Sequence, residues 1–337
     1  MKTLVCIHPK HFEYREAKMP VANSGFSIIK IKKLGICGTD LHAYDGTQPY
    51  FSYPRVLGHE IAAEYISGEA PGFNTGDSCT IIPYLACKKC IACRNGKYNC
   101  CVDLKVCGVH IDGAMSEYYS VPSDVLISGE GLEFDQLALV EPLAIAAHGI
   151  GRADVKQGEN VLIMGAGPIG LGLAMFAKLA GAVVIMMDVR DDRLLFARRK
   201  LQVDYTVNAA SLSATEEVSG LTHNEMATVV IDATGNLKAI ETGLNFLSHG
   251  GRYVLVGLQK GEFKFSHPEF HKRETTLMSS RNATRDDFEF VIRSVKNQTI
   301  DPSILITHKV DFDTVQGEFD KLADPENGVI KAIIEFD

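Results

Sequence analysis

Four cysteines crowd into one short segment of the chain. Cys87, Cys90, Cys93 and Cys101 follow a C-x2-C-x2-C-x7-C spacing, which backbone turns can close around a metal ion. Four thiolates suit a closed tetrahedral zinc site, which has no open position for substrate and is therefore structural. Cys100 adjoins Cys101 and is an alternative fourth ligand. Unrelated buried thiols would be a poor explanation for this density of cysteines.

A second group of candidate metal ligands is dispersed along the chain. Cys37 stands between glycines, His59 and Glu60 are adjacent, and Glu141 precedes a proline. A thiolate, an imidazole and a carboxylate are all zinc ligands, and three of them with one open position make a catalytic site. Each residue also has an ordinary explanation, as a satisfied core or surface histidine or as a small buried thiol. The residue types alone leave both interpretations open.

A glycine-rich turn predicts a dinucleotide-binding site. It lies directly after an apolar strand at Asn160–Met164 and just before a helical run at Leu171–Ala180. Glycine allows the tight turn, the approach of the backbone to a pyrophosphate and the packing of helix on strand, while the helix N-terminus offers free N–H groups to the anion. The residues expected to bind the cofactor here are Gly165, Gly167, Pro168, Ile169 and Gly170.

Further residues bear on which dinucleotide binds. Asp188 closes the next predicted strand, where a carboxylate accepts both ribose hydroxyls of NAD and repels the extra phosphate of NADP. Arg190 could counter that phosphate, so NADP remains the less favoured alternative to NAD. Arg193 is expected along the adenine face. Thr234 and Gly257 are expected close to the cofactor, at the carboxyl edge of the sheet where α/β ligands gather.

The sequence pattern divides the chain into two domains. Residues 1–146 show short strands and frequent glycine turns, which predict a compact β-rich domain. From about residue 154, apolar strands alternate with helical stretches, which predicts a doubly wound parallel sheet. His249-Gly250-Gly251 predicts a helix C-cap. The predicted strands of this sheet are Asn160–Met164, Val183–Asp188, Val229–Asp232 and Tyr253–Gly257.

The last part of the chain is expected to return to the first domain. An amphipathic segment at Asp286–Lys296 and a final strand at Ile330–Phe336 leave no room for another nucleotide-binding unit. We therefore expect an α/β protein in which residues 1–146 and 282–337 form the β-rich domain, with a cysteine lobe at 87–101. Residues 147–281 are expected to form a Rossmann-type, NAD-binding domain.

Composition excludes several classes of function. A chain of 337 residues with 46% hydrophobic and 23% charged residues suits two globular domains. The net charge of −8 gives no electrostatic reason to bind nucleic acid. We find neither a stretch of about 18 apolar residues nor a signal-peptide pattern. We expect a cytoplasmic protein without a membrane or nucleic-acid partner, whose cysteines are thiols or metal ligands.

Taken together in this order, these motifs resemble the zinc-containing medium-chain alcohol and polyol dehydrogenases, and the likeness spans the whole chain. The resemblance implies a GroES-like catalytic domain beside the Rossmann domain, with one catalytic and one structural zinc per chain. It implies that Cys37, His59 and a third ligand hold the catalytic zinc, with Glu60 beside it. Glu141 stands where simple alcohol dehydrogenases have cysteine, a version similar to sorbitol, threonine and sugar-acid dehydrogenases. Whether Glu60 or Glu141 completes the shell stays open.

The same resemblance implies a catalytic role for residues near the ligands. The family uses a hydroxyl, the cofactor ribose and an imidazole as a proton relay, which falls here on Thr39 and His42. Glu60 is expected to exchange with water or substrate at the metal. Without the resemblance, Thr39 would be explained as a turn hydroxyl and His42 as a surface residue.

Three segments are similar to the bacterial L-galactonate 5-dehydrogenase group: 48–55, 108–113 and 278–284. This implies hydride transfer from a secondary alcohol of a sugar acid or polyol to NAD, with sorbitol-type or threonine-type activity as alternatives. A non-catalytic NAD-binding protein is the alternative of another class. The expected substrate contacts are Tyr50 and Phe51 as an apolar wall and Arg281 or His110 as partners of a carboxylate. The family implies a homodimer or homotetramer.

Overall fold

Residues 1–144 and 283–337 form the first of two structural units in this computed structural model, which describes residues 1–48 and 51–337. Its first part contains strands β1 Lys2–His8, β2 His11–Glu16, β3 Phe26–Ile36, β4 Arg55–Val56, β5 Glu60–Gly68, β6 Ser78–Ile81, β7 Tyr84–Leu85, β8 Lys105–Val106, β9 Tyr118–Pro122 and β10 Leu126–Ser128. The helices of this part are α1 Gly38–Tyr44, α2 Ile91–Arg94 and α3 Phe134–Leu137, followed by α4 Val140–Ala153, which begins in this unit.

Residues 145–282 form the second unit. Its strands are β11 Asn160–Met164, β12 Val183–Asp188, β13 Tyr205–Asn208, β14 Ala227–Asp232, β15 Leu247–Leu255 and β16 Thr276–Ser279. Its helices are α5 Pro168–Leu179, α6 Asp191–Phe196, α7 Ala214–Leu221, α8 Leu237–Gly243 and α9 His267–Lys272, and a π-helical turn covers Ala197–Leu201.

The chain then returns to the first unit with α10 Arg285–Lys296, β17 Ile306–Asp311, α11 Phe319–Ala323 and β18 Lys331–Glu335. Short 3-10 segments lie at Tyr98–Cys100, Ser123–Val125, Leu244–Phe246, Pro302–Leu305, Val315–Gly317 and Pro325–Asn327. Within the described residues, no helix combines the length and the apolar character that crossing a bilayer requires.

The main sheet of the first unit is built around β3. Its strand order is β10-β6-β5-β3-β18-β17, and β9 pairs with the opposite end of β3. Both β5 and β18 run antiparallel to β3, with Glu60 opposite Gly35 and Ala332 opposite Ile36. The register therefore brings the beginning of β5 and the beginning of β18 to the same end of β3, across a glycine.

The second unit is a six-stranded parallel sheet. The order β13-β12-β11-β14-β15-β16 reverses direction beside β11, as in doubly wound dinucleotide-binding sheets. Strands of this kind are apolar throughout because helices cover both faces, and Val161, Leu162 and Ile163 are fully buried. The predicted bounds of β11 and β12 are confirmed.

One local prediction is wrong. His249-Gly250-Gly251 is not a helix C-cap but lies inside β15. Gly250 does adopt the positive φ of 73° that such a cap requires, and the pairing of β14 with β15 is irregular between Ala227 and Val229. A glycine with positive φ in a strand typically marks a bulge, so the glycine pair signals a strand irregularity here.

Candidate active site and metal centres

The clustered cysteines converge in a lobe bounded by the antiparallel pair β7 and β8. Each of Cys87, Cys90, Cys93 and Cys101 offers a sulfur within 4.8 Å of the other three. The Cys90 and Cys93 sulfurs are 3.4 Å apart, and those of Cys90 and Cys101 are 4.0 Å apart. Zinc–sulfur bonds of about 2.3 Å in a tetrahedron place neighbouring sulfurs about 3.8 Å apart. The thiols, none of them in a disulfide, fit a structural zinc ion.

The lobe favours the thiolate form that a metal requires at Cys90, whereas burial raises the pKa of Cys93. Backbone N–H groups of Cys93 and Val102 donate to the Cys90 sulfur and lower its pKa to about 6. Cys100 is exposed and lies outside the group of four sulfurs. The structure thus places Cys101, rather than Cys100, with the other three cysteines.

Cys37, His59 and Glu141 share a second, buried pocket in the same unit. Cys37 is the N-cap of α1, His59 directly precedes β5, and Glu141 lies in the first turn of α4. The side chain of His59 hydrogen-bonds to that of Cys37 and experiences the charge of Glu141. Within the part of the chain that the structure describes, only the lobe cysteines have three or more ligand atoms all within 4.8 Å. The ligand atoms of Cys37, His59 and Glu141 are therefore not all within 4.8 Å of one another.

Two buried side-chain atoms in this pocket lack hydrogen-bond partners within the part of the chain that the structure describes. Neither Nδ1 of His59 nor Oε2 of Glu141 has a hydrogen-bond partner among residues 1–48 and 51–337. A buried polar atom without a partner is costly and usually marks a functional group or an ion that completes it. Thiol, imidazole and carboxylate are also the donor set of a catalytic zinc site, so these residues fit such an ion.

The pocket holds more acidic than basic groups. Burial raises the pKa of Glu141 to about 7, partly opposed by the charge of His59. Burial works to lower the pKa of His59, but the negative charges of Asp40, Cys37 and Glu141 hold it well above its usual range. A divalent cation would stabilise the charged forms of these buried acidic groups.

Glu60 forms a buried ion pair with a lysine from the last strand. Both carboxylate oxygens of Glu60 lie 2.7 Å from Nζ of Lys331, which also donates to the Ile36 carbonyl at 3.1 Å. Glu60 is 1% exposed and Lys331 2%. A Cβ on Gly35 would lie 2.0 Å from Oε2 of Glu60, so only glycine lets the carboxylate pass across β3. Although burial opposes it, the charge of Glu60 raises the pKa of Lys331.

Asp40 joins the two segments that carry Cys37 and His59. It is fully buried, and its carboxylate accepts the Cys37 N–H at 2.9 Å and the Gly58 N–H at 3.1 Å. Its Oδ1 also lies 3.9 Å from Nδ1 of His59. Burial raises the pKa of Asp40. The residue fixes the backbone beside two candidate ligands.

Tyr84 binds the third candidate ligand. Its hydroxyl donates to Oε1 of Glu141, and its ring packs edge-on against Phe288 of α10. Burial and the neighbouring Glu141 charge hold the pKa of Tyr84 well above its usual range, so the phenol remains a donor. Glu141 therefore has one oxygen held by a hydroxyl and one oxygen without a protein partner among the described residues.

The proposed relay residues lie on α1, just after Cys37. Thr39 is half-buried, while His42 is exposed. Nδ1 of His42 is 3.0 Å from Oγ1 of Thr47, which orients the imidazole from outside the helix. Their role in proton transfer stays a prediction.

The glycine turn of the second unit has the backbone that its sequence requires. Gly165 follows β11 with φ of 100°, and Gly167 is the N-cap of α5, whose first residue is Pro168. A Cβ on Gly170 would lie 1.7 Å from the Gly165 carbonyl oxygen. Half-buried Ile169 lies between them in the first turn of α5. The turn thus presents free N–H groups at a helix N-terminus.

Asp188 is held at the end of β12. Its Oδ2 accepts the Ala166 N–H at 2.6 Å and its Oδ1 accepts the Arg190 N–H at 2.9 Å. The Arg190 guanidinium donates to both oxygens of Asp192, at 3.0 and 2.8 Å. Arg193 lies beside the glycine turn, 3.4 Å from where a Gly167 Cβ would stand. The side chain of Arg190 is therefore directed to a neighbouring carboxylate.

Thr234 and Gly257 approach the same turn from β14 and β15. The Thr234 hydroxyl donates to fully buried Asp232 at 2.5 Å, and the other Asp232 oxygen accepts the Gly235 N–H at 3.2 Å. A Cβ on Gly257 would lie 2.2 Å from the Gly235 nitrogen, whereas one on Gly165 would meet Thr234 at 3.0 Å. The predicted cofactor residues of this unit are thus brought together.

The candidate substrate contacts are less concentrated. Phe51 packs edge-on against Tyr53, with ring centroids 4.8 Å apart. His110 is exposed, and its Nδ1 accepts the Val106 N–H at 3.1 Å in a turn. Arg281 is exposed in the second unit. Tyr50 lies outside the described residues. Phe51 and His110 belong to the first unit and Arg281 to the second.

Comparison with known proteins decides the family. The Alcohol dehydrogenase GroES-like domain model matches residues 23–130 and the Zinc-binding dehydrogenase model matches residues 168–297. The chain is 41% identical to L-galactonate-5-dehydrogenase of Escherichia coli K12, over 100% of this chain and 99% of the relative. The chain belongs to the zinc-binding dehydrogenase family.

Two further relatives agree with this membership. A sorbitol dehydrogenase of Halalkalibacterium halodurans is 32% identical, with 89% of each chain covered. The solved structure of an alcohol dehydrogenase (rspB) from E. coli CFT073, complexed with NADH, has a TM-score of 0.92 at 30% identity and covers 100% of this chain and 99% of its own. The predicted fold class, a GroES-like and a Rossmann domain, is confirmed. This dehydrogenase is an oxidoreductase that acts on a CH–OH group.

Sequence reasoning missed three residues around the candidate zinc site of the dehydrogenase: Asp40, Tyr84 and Lys331. Each is polar and buried, at 0%, 6% and 2% exposure. Lys331 begins an otherwise apolar strand, which is an unusual place for a lysine and could have signalled a buried partner. Asp40 and Tyr84 carried no comparable signal, because aspartate in a first helical turn and tyrosine in a strand are both common.

Proposed function

We propose that this dehydrogenase is zinc-dependent and NAD-linked, and that it oxidises a secondary alcohol of a sugar acid or polyol, with C5 of L-galactonate as the best candidate. The relative named L-galactonate-5-dehydrogenase supports the substrate, because the identity of 41% extends over the whole chain. The observation that carries the chemistry is the unpartnered Oε2 of Glu141, buried in the pocket of Cys37 and His59.

Cys37, His59 and Glu141 would hold the catalytic zinc. Zinc held by these residues would supply Lewis acidity, which would lower the pKa of a bound substrate hydroxyl. Glu141 is favoured over Glu60 as the third ligand because its Oε2 has no hydrogen-bond partner among the described residues, whereas Lys331 binds both oxygens of Glu60. Glu60 would then lie beside the metal as a group that could exchange with water or substrate. Cys87, Cys90, Cys93 and Cys101 would hold the structural zinc.

One unit would bind the metal and the other NAD, as the sequence predicts. Residues 1–146 and 282–337 would supply the metal ligands and residues 147–281 the NAD site. The glycine turn and the N-terminus of α5 would bind the pyrophosphate, and Asp188 the ribose hydroxyls. Since Arg190 is paired with Asp192, it would give little support to the 2′-phosphate of NADP. The NADH-bound relative supports this preference.

Side chains of the first unit would remove the hydroxyl proton. Thr39 would accept it and His42 would pass it to solvent, because His42 is exposed and an imidazole ring can both accept and donate a proton. Arg281 or His110 would pair with the carboxylate of a sugar acid, and Tyr50 and Phe51 would form an apolar wall. A homodimer or homotetramer is the assembly we propose.

The test is a spectrophotometric screen of NAD reduction over aldonates, polyols and L-threonine, with and without a chelator. We expect L-galactonate to give the highest kcat/KM and NAD to be preferred over NADP. Sorbitol or L-threonine above every sugar acid would select one of the alternative substrate classes. A purified protein that binds zinc and NADH but oxidises nothing on the panel would overturn the enzymatic function.

Two substitutions and one control variant test the roles of individual residues in this screen. Cys37→Ser should abolish turnover and release one zinc equivalent, whereas Cys100→Ser should change neither, because Cys100 is exposed and outside the sulfur cluster. Arg281→Ala should reduce the preference for a hexonate over its parent polyol. If that preference is unchanged, Arg281 does not bind the carboxylate.

A further inference from the structure

Tyr84 is placed where the cysteine lobe meets the candidate catalytic pocket. It begins β7, three residues before Cys87, and the pairing of β7 with β8 fixes the backbone on both sides of the lobe. Its ring is confined by the edge-on contact with Phe288. The side chain is 6% exposed, so its hydroxyl is held in one position by its surroundings.

The two oxygens of Glu141 have different environments. Oε1 accepts the Tyr84 hydroxyl, while Oε2 is buried and has no hydrogen-bond partner among residues 1–48 and 51–337. A carboxylate without such a contact can rotate about its terminal bond and present either oxygen, or both, to a cation. The hydroxyl removes that freedom by fixing the carboxylate plane.

We propose that Tyr84 is a positioning residue that makes Glu141 a one-oxygen metal ligand, with Oε1 held by the phenol and Oε2 directed to the metal. This inference rests on the proposed zinc site. Partners of metal ligands orient them and typically contribute 10–100-fold in metal affinity. Glu60 shows the opposite arrangement, because one ammonium group binds both of its oxygens.

The test is Tyr84→Phe in the full-length protein, which removes the hydroxyl and keeps the ring. Zinc transfer to a chromophoric chelator should show two classes of site in the wild type. We expect the weaker site of the variant to lose affinity by about 10–100-fold, with the other site unchanged. The cobalt-substituted variant should show a shifted visible absorption band, because its ligand geometry changes.

Tyr65→Phe is the matched control. Tyr65 is also buried in the first unit, and its hydroxyl donates to the Gly68 carbonyl at 2.6 Å, away from the candidate ligands. It should leave both zinc affinities unchanged. Wild-type affinity and cobalt spectrum in Tyr84→Phe would overturn the inference alone. A wild type with only one class of zinc site would instead overturn the proposed catalytic site.

Two further measurements separate positioning from folding. Substituting 4-aminophenylalanine at position 84 restores an N–H donor on a ring of nearly the same shape, and should recover most of the lost affinity. In a Glu141→Ala background, Tyr84→Phe should have no further effect on zinc affinity, because the group it orients is gone. Additive losses in that double variant, or no recovery with the amino group, would contradict the inference even if Tyr84→Phe folded poorly.

Discussion

The buried pair of Glu60 and Lys331 makes a quantitative prediction about Lys331→Met. The substitution replaces the ammonium group with an apolar side chain of similar length and leaves Glu60 without its cation. Both residues are almost fully buried, at 1% and 2% exposure, and the pair is held by two contacts of 2.7 Å. Glu60 would then be a charged carboxylate deprived of both water and a counter-ion.

The size of the effect follows from this geometry. At 2.7 Å and an effective dielectric constant of about 20, the charge attraction is about 6 kcal/mol. Part of it only offsets the cost of burying the charges, and removal of one partner from such pairs typically costs about 3–5 kcal/mol. Since 1 kcal/mol shifts the unfolding midpoint of a domain of about 200 residues by about 2–4 °C, we expect a decrease of about 6–20 °C.

The assay is thermal unfolding of four zinc-loaded proteins at equal concentration: wild type, Lys331→Met, Glu60→Gln and the double variant. Each single variant should lose about 3–5 kcal/mol, while the double variant should recover most of it because no unpaired charge remains. Gln in the double variant retains a cost of about 1–3 kcal/mol for an unsatisfied amide. A midpoint of Lys331→Met within about 3 °C of wild type, or additive losses in the double variant, would refute the reasoning.

Three other predictions follow from single contacts. Asp188→Ser should raise the ratio of NADP to NAD kcat/KM by at least about tenfold, or about 1.4 kcal/mol, because the carboxylate that repels the 2′-phosphate is gone; an unchanged ratio would exclude that role. Cys93→Ser should release one zinc equivalent, measured by elemental analysis, whereas Cys100→Ser should retain it. Gly35→Ala should destabilise the protein by about 1–3 kcal/mol, because its Cβ would lie 2.0 Å from Oε2 of Glu60. Thermal unfolding measures this loss, and Gly317→Ala is the control because its Cβ would meet nothing within 4 Å.

The parts of the fold that follow local rules could be predicted from the sequence. The strand before the glycine turn, Asn160–Met164, has its predicted bounds because a buried parallel strand is a continuous apolar run ended by glycine. The four lobe cysteines likewise meet because their spacing is short. The helix C-cap predicted from the glycine pair at 250–251 was wrong, because a glycine with positive φ occurs both in helix caps and in strand bulges.

The partners of the candidate ligands could not be predicted in the same way. Lys331 lies 271 residues from Glu60 along the chain, and Tyr84 lies 57 residues from Glu141. Their contacts depend on the register of β18 and β5 on β3 and on the packing of β7 beside α10. A one-residue change of register would turn each side chain to the other face of the sheet, so nothing local specifies these pairs.

Glu60 and Glu141 have different hydrogen-bond partners, and this difference affects the net charge of the proposed zinc site. Lys331 cancels the charge of Glu60, whereas the Tyr84 hydroxyl is neutral and leaves Glu141 charged. With His59 as a neutral ligand, the thiolate of Cys37 and the carboxylate of Glu141 would then provide the two negative charges that balance a divalent cation. An unpaired Glu60 would add a third charge and weaken the polarisation of a substrate hydroxyl. In the proposed site, the partners of the two carboxylates would therefore select Glu141 over Glu60 as the third ligand.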